Sequence, residues 1–81
     1  MSPAEEHHEI SVSLDAILDQ RGMTVADLAQ RVGVTYANMS ILKNGRAKAI
    51  RFSTLTAICR ELNCQPGDIL HWQHSTSQAT S

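Results

Sequence analysis

The middle of the chain combines a cluster of positive charge with a polar segment directly before it. Residues 43–51 contain four bases and no acid: Lys43, Arg46, Lys48 and Arg51. Positive charge at this density attracts the phosphates of a polyanion. Residues 35–40 carry hydroxyl and amide groups, which can hydrogen-bond to base edges in the major groove of DNA. Adjacent segments of these two kinds indicate a surface in which one part holds phosphates and the other reads bases.

The net charge hides a separation of charge along the chain. The 81 residues carry 7 bases and 8 acids, a formal net charge of −1 that argues against a non-specific polyanion binder. Residues 1–30, however, hold six acids and one base (net −5), whereas residues 31–60 hold six bases and no acid (net +6). Such asymmetry indicates a polar partner for the basic side. The acidic third predicts an alternative function, an antitoxin-like interaction module that binds a partner protein.

Several other classes of protein are excluded by length and composition. A chain of 81 residues forms one domain at most. No apolar run approaches the ~18 residues of a membrane span. The opening residues "MSPAEEHHEIS" are acidic and lack the apolar region of a secretion signal. We therefore expect a cytoplasmic protein with no membrane partner.

The residues that could carry catalysis or bind a metal do not form a set. There is no nucleophile–base–acid combination and no phosphate-cradling glycine loop, so we expect neither an enzyme nor a cofactor. Metal binding is not expected either, because no CxxC accompanies the four histidines: His7, His8, His71 and His74. Cys59 lies on an apolar helix stripe and Cys64 in the following turn. Both are predicted to be small buried hydrophobic residues rather than a disulfide.

Local patterns predict a domain over residues 10–74, between a flexible N-terminal arm (1–9) and a disordered tail (75–81). Apolar residues at helical spacing predict a first helix over 14–21, ended by Gly22. Ile10 and Val12 alternate with serines, which favours a short strand, with an unpaired extended lead-in as the alternative.

Capping residues place the remaining helices. Thr24 is a good N-cap for a second helix that Gly33 ends, and Thr35 caps a third helix that stops at the "NG" of 44–45. Ser53 is the predicted cap of a fourth helix, and Pro66 begins a last short turn. The three-residue link "GVT" between the second and third helices is the length of a helix-turn-helix connection. Together with the polar segment and the basic loop, this link predicts a DNA-binding unit.

The stretch "MTVADLAQRVGVTYANMSILKNGRAKAIRFSTLTAICRELNCQPGDIL" resembles the Cro/C1-type (Xre-type) helix-turn-helix family, in its small single-domain form. The resemblance covers roughly residues 12–70, and its most specific marks are "LAQRVGV", "MSILKNG" and "LNCQPGDIL". It implies an all-α, five-helix DNA-binding bundle. Some members of this type also pair an N-terminal strand with a C-terminal strand that bears a Trp, which implies a short β ribbon from residues 10–13 and 70–74. The implied function is that of a sequence-specific regulator, a repressor that binds a palindromic operator in double-stranded DNA as a homodimer.

The resemblance also implies roles for single residues. The positions that match base-facing ones, or lie beside them on the outer face of the third helix, are Thr35, Tyr36, Ala37, Asn38, Ser40 and Ile41. The positions that match phosphate contacts or belong to the basic loop are Thr24, Lys43, Asn44, Arg46, Lys48 and Arg51. This chain departs from the family in having Val25 after the second helix cap, and Tyr36, Ala37 and Ile41 where Gln or Arg is common. These departures predict readout through thymine methyl contacts, the Tyr36 hydroxyl and DNA shape.

Overall fold

A computed structural model describes residues 9–72, so the predicted tail and all of the predicted arm except Glu9 lie outside the described residues. The elements in chain order are β1 (Ile10–Val12), α1 (Leu14–Arg21), α2 (Val25–Val32), α3 (Tyr36–Lys43), α4 (Phe52–Leu62), α5 (Pro66–Ile69) and β2 (Leu70–Trp72). This arrangement confirms the predicted five-helix bundle with a short two-stranded ribbon.

Threonine side chains fix where α2 and α3 begin. The backbone N–H of Asp27 donates to Thr24 Oγ1 at 3.0 Å, and that of Asn38 donates to Thr35 Oγ1 at 3.0 Å. Each bond satisfies one of the amide groups that a helix N-terminus leaves without a partner. Both caps lie where the sequence predicts them.

The predicted cap of α4 is wrong. Ser53 lies inside the first turn of α4, and Arg51 occupies the N-cap position without a side-chain cap bond. The first helical hydrogen bond runs from Leu55 N–H to the Arg51 carbonyl at 2.9 Å. The turn therefore closes two residues earlier than the serine predicts, and the hydroxyl is not needed to start it.

One apolar cluster holds all five helices together. Its buried members are Leu14, Ile17, Leu18, Leu28, Ala29, Met39, Leu42, Leu55, Ile58, Leu62 and Ile69. No polar or charged side chain is buried among the described residues. Since burial of apolar surface is the main favourable term in folding, this small cluster carries most of the stability of the domain.

The turn between α2 and α3 depends on a glycine. Gly33 has φ 90°, in the left-handed region that side chains with a Cβ disfavour. This conformation lets the N–H groups of Gly33 and Val34 both donate to the carbonyl of Ala29, at 2.9 and 3.0 Å. The chain thus reverses within three residues and brings α3 against α2.

The ribbon closes the domain by pairing its two ends. β1 and β2 are antiparallel, with Ile10 opposite Trp72 and Val12 opposite Leu70. The prediction that residues 10–12 form a strand is therefore confirmed, and the alternative of an extended segment without a partner is wrong. Three side chains of the ribbon, those of Ile10, Val12 and Leu70, line an apolar cleft of about 210 Å³ together with residues 47–50.

A single arginine joins the end of α1 to the end of α4. Arg21 Nε donates to the Leu62 carbonyl at 2.8 Å, and a terminal guanidinium nitrogen donates to the Asn63 carbonyl at 3.5 Å. The last carbonyls of a helix have no partner within it, so this side chain satisfies groups that α4 cannot satisfy itself.

We expect Arg21→Met to lower the free energy of unfolding by about 1–2 kcal/mol, because it removes a hydrogen bond from a charged donor to a partly buried carbonyl. Urea denaturation followed by circular dichroism measures the change. Arg60→Met is the matched control, since Arg60 is exposed near the same helix end and donates no hydrogen bond among the described residues. Equal losses of unfolding free energy in the two variants would show that the hydrogen bonds from Arg21 to the end of α4 add no stability of their own.

Candidate nucleic-acid interface

A groove of about 570 Å³ lies between α3 and the loop that follows it. Thr35, Asn38 and Ile41 line its helix side. Lys48 and Arg51 line its loop side, with Thr54 at the start of α4. The fold therefore brings the predicted base-reading segment and the predicted phosphate-binding segment to the two walls of one groove.

The inner face of α3 fixes which side chains point outward. Met39 and Leu42 are buried in the core, and this anchors the helix with its opposite face toward solvent. Tyr36 is 61% exposed and Ile41 is 46% exposed. Ala37 and Asn38 are also exposed, whereas Ser40 is half-buried. The first turn of α3 is thus the part of the helix best placed to meet a base edge.

The N-terminus of α2 is already occupied by an acid of its own chain. Asp27 Oδ2 accepts the backbone N–H of Thr24 at 3.3 Å, which completes a capping box. The carboxylate favours the positive end of the helix dipole, as a phosphate would. A phosphate at the exposed Thr24 would have to share this helix end with the Asp27 carboxylate.

The N-terminus of α4 differs because no side chain caps it. Arg51 stands at its N-cap, next to Phe52, which is 84% exposed. Uncapped backbone N–H groups with an arginine beside them form a favourable place for an anion. The resemblance to the family implies a phosphate contact at the backbone of Phe52, but the cap predicted at Ser53 did not lead us to expect uncapped amides here. The sequence prediction also missed Thr54, Ala47 and Ile50 as groove residues.

The four clustered bases are not equivalent. Lys43 is half-buried, and its Nζ lies 3.4 Å from Asp15 Oδ1 on α1. Arg46, Lys48 and Arg51 are exposed. Asn44, the C-cap of α3, is exposed beside them. The bases of the loop after α3 are therefore more exposed than the base at the end of α3.

The described part of the chain was also searched for metal-binding residues and for membrane-spanning helices. Between residues 9 and 72, no three His, Cys, Asp or Glu side chains group as metal ligands, and His7, His8 and His74 lie outside this range. Over the same residues, no helix has the length and hydropathy needed to cross a membrane.

Comparisons with known proteins agree with this geometry. Residues 13–75 match the model of the Cro/C1-type HTH DNA-binding domain. The chain is 59% identical over 64 residues to an uncharacterized HTH-type transcriptional regulator, YozG of Bacillus subtilis (strain 168), which covers 79% of this chain and 76% of that protein. It is also similar to the crystal structure of the transcriptional regulator VanUg, with a TM-score of 0.65, 33% identity, and coverage of 78% of this chain and 83% of that chain.

Both relatives are named as transcriptional regulators, a non-enzymatic class, which agrees with the expectation from the sequence. The family match spans α2, the turn at Gly33, α3 and the basic loop. The chain belongs to the family of Cro/C1-type helix-turn-helix DNA-binding domains.

Proposed function

We propose that the protein is a cytoplasmic repressor that binds a palindromic operator as a homodimer, with α3 of each copy in the major groove. The observation that carries the proposal is the groove in which exposed α3 side chains face Lys48 and Arg51. A helix fits the major groove of B-DNA, and cations at its flank then reach the neighbouring phosphates.

The base-reading role falls to the first turn and outer face of α3. The Tyr36 hydroxyl can donate to or accept from a base edge. The methyl group of Ala37 and the side chain of Ile41 offer apolar contact to a thymine methyl group. Asn38 adds an amide that can bond to adenine. Thr35 and Ser40 supply hydroxyls at the edges of the same surface.

The phosphate-binding role falls to the loop and to the start of α4. Lys48 and Arg51 lie on the wall of the groove opposite α3, and Arg46 precedes them. The uncapped amides of α4 supply neutral donors at the same place. Asn44 and Thr24 are secondary contacts, the latter because Asp27 occupies its helix end.

The homodimer follows from the size of the reading surface. α3 has eight residues, so it is about 12 Å long and spans only a few base pairs. A second copy doubles the sequence that is read, and two-fold symmetry of the protein then requires a palindromic site. Occupation of such a site blocks other proteins from the same DNA, which is the simplest route to repression.

Selection of bound sequences from a random DNA pool tests the function. We expect the wild-type protein to enrich a palindrome whose half-site centres lie about 34 Å apart, one helical turn. Recovery of unrelated sequences at moderate salt would contradict sequence-specific binding.

Tyr36→Ala is expected to change the preferred base at one position of each half-site, and an unchanged preference would remove Tyr36 from the reading surface.

Lys48→Met and Arg51→Met are each expected to weaken binding to all sequences by a similar factor. Each change removes one phosphate contact, so the slope of log affinity against log salt should fall by about one unit. Fluorescence anisotropy across a salt series measures it. Arg60→Met removes the same charge from the far end of α4 and should leave the slope unchanged. A common slope for all three variants would place the phosphates elsewhere.

Asp15→Asn is expected to strengthen DNA binding, because it frees Lys43 from its ion pair. The expected gain is up to about fivefold at low salt, the usual limit for an exposed pair. Asp19→Asn is the matched control, since Asp19 is an exposed acid on the same helix without an ion pair among residues 9–72. An equal gain in both variants would reflect net charge alone.

A further inference from the structure

The two cysteines meet at the C-terminal end of α4. Asn63 has φ 52°, the left-handed conformation that ends many helices. The N–H of Asn63 and the N–H of Cys64 both bond to the Cys59 carbonyl, the latter at 3.0 Å. In this type of helix end, the residue after the left-handed one returns over the last turn, and a contact between its side chain and that of the residue to whose carbonyl it bonds frequently accompanies the motif.

The thiols are neighbours within reach of small reagents. Both are half-buried, whereas the sequence predicts that they are buried. Burial raises the pKa of the Cys64 thiol, and Cys59 raises it further through its charge and a side-chain hydrogen bond. Asp68 adds to this rise, and Arg21 opposes it. Of these effects, the hydrogen bond from Cys59 requires that the two sulfur atoms lie close together.

We propose that Cys59 and Cys64 form a modification site, a dithiol that hydrogen peroxide converts to an intramolecular disulfide. The bond from the Cys64 N–H to the Cys59 carbonyl holds the two backbones close together, and a disulfide requires Cα atoms about 4.4–6.8 Å apart. The bond closes a loop of six residues, from 59 to 64, at the junction of α4 and α5.

The reaction balances with peroxide as the only added reagent. One thiol sulfur attacks a peroxide oxygen, the O–O bond breaks, and a sulfenic acid and water form. The second thiol then attacks the sulfenic sulfur, an S–S bond replaces the S–O bond, and the thiol proton leaves with the hydroxyl as a second water. Because a protonated thiol is a poor nucleophile, the first step is slow and needs excess peroxide.

This site is separate from the DNA-binding groove and does not depend on the proposed function. Cys59 and Cys64 lie at the end of α4, whereas the groove contacts its beginning at Arg51 and Thr54. An eleven-residue helix separates its ends by about 15 Å. Oxidation is therefore expected to leave DNA affinity within about twofold of the reduced value, the scatter among distant independent sites.

The intact mass of the full chain tests the proposal. Reduced protein is treated with excess hydrogen peroxide, then with N-ethylmaleimide. We expect a mass about 2 Da below that of the reduced, unlabelled chain, with no label, and two labels after dithiothreitol treatment. Cys59→Ser and Cys64→Ser should each lose this product. Two labels on the peroxide-treated wild type, or a covalent dimer on a non-reducing gel, would overturn the proposal.

A second measurement uses the unaltered chain and shows whether the fold itself favours the bond. The ratio of disulfide to dithiol is measured in a glutathione buffer, with and without concentrated urea. If the native helix end holds the sulfur atoms in place, the ratio should be about tenfold higher in the native protein. Linkage then requires a higher melting temperature for the oxidised protein. A native ratio equal to or below that in urea would contradict the proposed site.

Discussion

The carbonyl of Ala29 is the point on which the DNA-binding arrangement depends. It accepts hydrogen bonds from both Gly33 and Val34, and these bonds turn the chain from α2 into α3 within three residues. Ala29 itself is buried and small, so α3 can pack closely on α2 through Met39. The position of Met39 in the core then decides that Tyr36 and Ile41 face solvent. A larger residue at 29 would crowd the packing of α3 on α2, and a residue other than glycine at 33 would be strained at φ 90°.

Charge in this chain is organised partly by pairing inside the fold. The acidic third of the sequence contributes Asp15 to an ion pair with Lys43 and Asp27 to the cap of α2. Glu9 Oε1 also accepts the indole N–H of Trp72 at 3.1 Å, so three of the six acids have structural partners in the same chain. A partner protein for the acidic third stays a prediction, but these three acids need no such partner to explain them. The net effect is to reduce positive charge at the end of α3, whereas the loop beside the groove carries the more exposed bases.

The sequence predicts most of the fold because its signals are local. Thr24 and Thr35 cap α2 and α3 where expected, and Gly22 and Gly33 end α1 and α2. The failure at Ser53 has a physical cause, since the first turn of α4 is set by the bond from Leu55 to Arg51 and not by a hydroxyl. The sequence predicts that α3 and the basic loop lie close together, but not which side chains line the groove between them.

The parts of the candidate site that the sequence does not predict depend on contacts between distant residues. The pairing of Lys43 with Asp15 joins positions 28 residues apart, as the numbering shows, and no helical periodicity reports such a pair. The contact between Cys59 and Cys64 depends on the left-handed backbone of Asn63. Asparagine permits this conformation without requiring it. The sequence alone therefore does not predict that the two thiols lie close together.

The pairing of Ile10 with Trp72 has a consequence for how this domain can be built into larger chains. In an antiparallel pair, opposed Cα atoms lie about 4.5–5.5 Å apart, so the chain enters and leaves the domain at neighbouring points. A short peptide linker could join these two points, and new termini could then be opened in an exposed turn such as the one at Gly22. Such a circular permutant would keep α2, the turn and α3 contiguous. The same closeness means that anything fused to either end of the domain emerges beside the ribbon.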